Sequence, residues 1–174
     1  MTSYVGSRPN LQLNGKRELV IFESASKLWL ILHTISAIVL LGSVTHDFVL
    51  LISYVRGNPK RIRLQKRYAQ VGFISYLCTY LLGGVFLYPV FKVRVRYQYF
   101  DKILPWATYL FEIKEHWDSM ALAIFIVYYI LSRYINPKED KHLLRVYAIL
   151  GIILAVIVWY STMASFVLTS YRSV

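Results

Sequence analysis

Four long apolar runs, set apart by polar connections, constrain this chain more than any other feature. They lie at about residues 28–54, 68–91, 116–134 and 146–170. A hydrocarbon core of ~30 Å needs ~20 residues of helix to cross it. Backbone in lipid must bond within its own segment, so runs of this length read as helices. Short connections make neighbouring helices antiparallel. The expected fold is an all-α integral membrane protein, an antiparallel four-helix transmembrane bundle whose connection between helices two and three is longer and helical or extended. The polar stretch 1–27 forms an N-terminal tail and interfacial lead-in, with Ser24 or Ser26 able to cap the first span, and 28–174 forms the membrane domain. Composition agrees: hydrophobic residues reach 57% and charged ones only 17%, against roughly half and a quarter in soluble domains.

The net charge of +11 has its cause in the connections. The segment 55–67 (VRGNPKRIRLQKR) carries six basic residues and no acidic one. Basic loops contact anionic head groups and stay on the cytoplasmic side. That places 55–67 and 135–145 in the cytoplasm and both termini opposite, in a bacterial cytoplasmic membrane. Membrane lipid is then the polyanion these charges meet, and nucleic acid is not expected as a partner. The lone Cys78 excludes an intrachain disulfide, a zinc ribbon, an iron–sulfur cluster and c-type haem attachment within this chain. No apolar core precedes Leu28, so the first span is expected to act as the insertion signal and to remain in place.

The connection 92–115 is the most unusual stretch. In KVRVRYQYF, Lys92, Arg94 and Arg96 alternate with Val93, Val95 and Tyr97. That period of two predicts an extended segment or a basic interfacial strip. Pro105 suits the first turn of a helix, and Trp106, Tyr109, Phe111 and Trp117 suit an aromatic belt. Lys92, Arg94, Arg96 and Trp106 are therefore the expected docking residues for lipid, a partner subunit or a quinone. Tyr88-Pro89 predicts a kink or helix end, and Gly83-Gly84 a close helix approach.

Ionisable groups in or beside apolar runs are costly unless paired, solvated or used. The four histidines fall at two levels. His33 and His116 share one, His46 and His142 the other. Paired imidazoles from different helices are a means of holding haem. His33 and His46 are thirteen residues apart, which is ~20 Å of rise and ~140° of turn. They do not share a helix face, so a single haem b is expected rather than two, with His33 and His116 as first-choice ligands and His46 and His142 as second choice. His46, Asp47 and Glu115 are candidates for a proton relay. Glu112, Glu115 and His116 share one helix face but lack the spacing and second copy of a di-iron site. No nucleotide-binding, zinc-protease or nucleophile-elbow motif occurs, so no catalytic residue is expected.

The stretches LYPVFKVRVRYQYFDK and LFEIKEHW resemble a set of small bacterial membrane proteins with four predicted spans, over roughly residues 80–120. That resemblance carries no catalytic residues over. More distantly, a bundle with scattered histidines is similar to small cytochrome b-type membrane anchors, although the fourteen-residue histidine pair of the two-haem family is missing. The expectation is a membrane subunit of a larger respiratory or electron-transfer complex, binding one haem b. The alternatives are a structural or assembly subunit docking through 92–118, and a proton or ion pathway.

Overall fold

The computed structural model describes residues 25–56, 61–136 and 141–172. The described residues are almost wholly helical and contain no strand. Four helices carry the fold: α1 (Ser26–Val55), α2 (Ile62–Ile103), α3 (Pro105–Tyr134) and α4 (Lys141–Tyr171). Three of them, α1, α2 and α4, are long and apolar enough to cross a membrane. Helix α3 has the length but carries Glu112, Lys114, Glu115, His116 and Asp118 in its first half. The expected N-terminal tail and its lead-in lie almost entirely outside the described residues. Ser24 is among those, and α1 begins at Ser26 without a side-chain cap.

The helices pack in a ring, each touching the next and α4 closing onto α1. Paired positions run in opposite senses: Trp29 stacks on Phe86 and Asp47 meets Gln65, while Gly72 faces Val44. The same reversal relates α3 to α4, where Tyr128 meets Tyr147 and Trp106 meets Tyr171. The bundle is therefore antiparallel around the ring. Its main core is built from Leu40, Val44 and Leu51 of α1, Ala69 and Tyr76 of α2, Phe125 and Tyr128 of α3, and Tyr147, Leu154 and Val158 of α4. Gly151 makes the closest approach possible: a Cβ there would strike Leu51 and Tyr128 at once.

The connection between the second and third spans takes the helical of its two expected forms. KVRVRYQYF is not extended: α2 runs on through it, and residues 92–115 are helical except at Leu104. Residues Lys92–Phe100 wind as a wider helix with i→i+5 bonds. The buried positions Val90, Val95 and Phe100 follow that same spacing of five. Burial at every fifth residue, rather than the alternation of charge, governs the conformation. Val95 and Phe100 pack with Ala107 and Leu168 into a second, smaller core. Leu104, at φ −135° and ψ 67°, turns the chain sharply, and Pro105 opens α3.

Pro89 does not end the helix either. It has no N–H to give, and an interrupted ladder is a known cause of local register change. The turn before it, Leu82–Leu87, is also wide, with the Tyr88 N–H reaching back to the Gly83 carbonyl. Gly83 lies against the His33 ring, where a Cβ would sit 3.0 Å from Cε1. The close approach expected at Gly83-Gly84 is thus made by Gly83 alone; nothing lies near a Cβ at Gly84.

Candidate functional site

Each helix turns one stripe inward. On α1 it passes through Leu40, Val44, Asp47, Leu51 and Tyr54; on α2 through Gln65, Ala69, Gly72 and Tyr76. On α3 it passes through Ala121, Phe125, Tyr128 and Ser132; on α4 through Tyr147, Gly151, Leu154 and Val158. Each stripe carries a polar residue near the end of the bundle where the chain passes from α1 to α2 and from α3 to α4. There Asp47, Gln65, Tyr128 and Tyr147 meet, one from each helix.

The junction is buried and tightly bonded. Asp47 is 5% exposed and Gln65 is fully buried. Gln65 Nε2 donates to Asp47 Oδ1 at 2.9 Å and lies 3.3 Å from the Tyr128 hydroxyl. It also donates to the Tyr147 hydroxyl. The Tyr128 hydroxyl donates to Asp47 Oδ2. The rings of Tyr128 and Tyr147 stack in parallel, 4.3 Å apart. Two buried polar atoms on the inward stripes of α1 and α2, Gln65 Oε1 and the Tyr54 hydroxyl, have no partner among the described residues. A cavity of about 10 Å³, lined by Asp47, Tyr68, Gly72, Phe125, Tyr128 and Gly151, adjoins the carboxylate. That is about the room one water needs. Among the described residues, no basic side chain forms an ion pair with Asp47.

A second polar cluster lies nearer the other end. Lys114 Nζ is 2.8 Å from Asp118 Oδ2 and 3.3 Å from Glu115 Oε1. Ser161 of α4 donates to Asp118 Oδ1 at 2.5 Å, and Tyr76 of α2 donates to the Asp118 carbonyl. Beyond it, at the turn between α2 and α3, Arg96 is ion-paired with Glu112 and Asp101. Here every acid has a cation beside it.

The histidines go to separate places. His33 is partly buried, its Nδ1 3.0 Å from the Thr79 carbonyl of α2. His116 is exposed on α3, with Nδ1 2.7 Å from its own helix's Glu112 carbonyl. It borders a shallow groove of about 300 Å³ lined by Tyr109, Glu112, Ile113 and Trp117, all of α3. His33 thus faces α2, whereas His116 lies exposed on α3 against its own helix. His46 is exposed, bonded to the Gly42 carbonyl and stacked on Tyr68 at 5.2 Å. His142 is exposed at the start of α4. No cluster of three metal-ligating side chains occurs among the described residues. Of the relay candidates, Asp47 turns inward, His46 outward, and Glu115 pairs with Lys114.

The docking residues also divide. Arg94 and Trp106 are exposed, Lys92 lies over the Tyr88 and Tyr97 rings, and Arg96 is held in its ion pairs. Gln65, Tyr128 and Tyr147 are the residues that the sequence reading missed. Their signal is each helix's inward stripe, visible only once the helices are set in register. Comparison of the chain with protein-family models, curated proteins and solved structures gives no match.

Proposed function

We propose that the chain is a non-catalytic structural subunit of a bacterial membrane complex, with all four helices crossing the bilayer. The observation that carries this reading is the paired, self-packed end formed by α2 and α3. Helix α2 has 42 residues, ~60 Å of helix against a hydrocarbon core of ~30 Å. It must therefore project. The projecting part has its own core at Val95, Phe100, Ala107 and Leu168 and its own ion pairs at Arg96. A rigid, basic, aromatic-rimmed element at a membrane surface is suited to hold a partner subunit. Arg94, Lys102 and Trp106 are its exposed members.

The orientation follows the positive-inside bias. The connections 55–67 and 135–145 lie in the cytoplasm, and the projecting α2–α3 element lies on the opposite side.

The test is co-purification from native membranes. Neutralising Arg94 and Lys102 together with Trp106→Ala is expected to leave the protein inserted and folded but free of its partner subunits. Wild-type protein that migrates alone, unchanged by the triple substitution, breaks this reading. Cysteine accessibility in a Cys78→Ser background, at positions 58 and 98, checks the orientation independently.

A further inference from the structure

We propose that Asp47 is a proton-exchange site, a carboxyl that gains and loses one proton while the bundle stays folded. The proposal goes beyond a structural role and does not depend on the docking surface.

The argument rests on charge and space. A carboxylate buried among Val44, Leu51, Phe125 and Leu154 is costly unless it is neutralised. The groups facing it are Gln65 and Tyr68 from α2, Tyr128 from α3, Tyr147 from α4 and Tyr54 from its own helix. None of them is cationic at neutral pH. Two hydrogen bonds support the ionised form, from Gln65 Nε2 and the Tyr128 hydroxyl. They soften the cost without removing it. The remaining means of neutralisation is a proton bonded to a carboxylate oxygen, taken from water and returned to it, with no other bond broken.

Access is provided in the same place. The water-sized cavity touches Asp47 and is walled on one side by Tyr68. Tyr68 in turn stacks on exposed His46. Gln65 Oε1 and the Tyr54 hydroxyl, both buried and without a partner among the described residues, leave one acceptor and one donor unused around the junction. The cavity therefore lies one ring inside exposed His46, toward the end of the bundle that carries the basic 55–67 connection.

Infrared difference spectroscopy of the full-length protein in liposomes tests this directly. The expected result is a carbonyl band of a protonated carboxylic acid at neutral pH, which fades as the pH is raised. Asp47→Asn removes it. Tyr128→Phe keeps the band but moves its midpoint to higher pH, because a donor to the ionised form is lost. Should Asp47→Asn not fold, the Tyr128→Phe shift still decides the matter. The proposal is overturned if no acid band appears at any pH. It is overturned equally if the band persists unchanged into strong alkali, which marks a locked structural acid. A band that sodium removes at constant pH indicates a cation site and also overturns it.

Discussion

Asp47 and Asp118 are both aspartates on helices of one bundle, each bonded by a tyrosine from another helix, yet they live under opposite electrostatic rules. Asp118 has Lys114 one turn away at 2.8 Å, with Glu115 sharing the same ammonium. Its charge is balanced where it stands. Asp47 has only neutral donors, Gln65 of α2 and Tyr128 of α3. The ion-paired end holds its geometry by compensating charge, and the buried junction by satisfying hydrogen bonds around a carboxyl whose charge nothing nearby cancels. The difference teaches that polar content alone does not mark a site in such a bundle. What marks it is the mismatch between burial and compensation.

The sharpest way to break this comparison is to remove one carboxyl's charge at each place. Asp118→Asn removes the nearer carboxylate from a largely buried ammonium and leaves it Glu115 at 3.3 Å; losing the sole partner of a fully buried ion costs about 3 kcal/mol. Lys114 keeps some solvent contact, so about 2 kcal/mol is expected, read as a lower unfolding temperature in detergent. Asp47→Asn strands no cation and is expected to cost under about 1 kcal/mol, the usual worth of one hydrogen bond. Equal losses at both positions would dissolve the distinction drawn here.

Packing offers a test of similar size. Gly151→Ala places a methyl against Leu51 and Tyr128 beside the junction. Overpacking of this kind costs about 1–3 kcal/mol. Gly84→Ala, with open space around its Cβ, is expected to be neutral or slightly stabilising. The pair of melting curves tells whether the junction depends on close approach of α1, α3 and α4.

Smaller effects separate the two ends by ionic strength. High salt screens partly exposed pairs such as Arg96–Glu112 by some tenths of a kcal/mol. Faster hydrogen exchange is expected across 92–112, with none across the segments holding Asp47 and Tyr128. Arg96→Ala should reproduce the local loosening. Uniform acceleration along the chain would mean that both ends rely on screened charge.

Much of this fold was legible before any coordinates. The apolar runs gave four helices, and Asn136-Pro137 lies just past the end of α3 at Tyr134. His33 stood out as needing a partner, and it has one in the Thr79 carbonyl. The alternation in KVRVRYQYF misled, because charges on a wide helix can alternate in sequence while burial follows a spacing of five. Sequence alone groups Arg96 with Arg94 as a docking residue, since it does not say which arginine an acid sixteen residues away will claim.

By itself the sequence determined that the chain is helical, where its long helices lie, and which end carries the densest basic connection. Those follow from residue chemistry and run length, which act locally. Only the tertiary structure decided which face of each helix turns inward. A helix apolar on every side has no stripe that announces its core-facing side, so the periodicity of α1 does not separate Asp47 from its neighbour His46. Packing does: small residues at Gly72 and Gly151 let the four helices close, and that closure brings Asp47, Gln65, Tyr128 and Tyr147 to one level while turning His46 out.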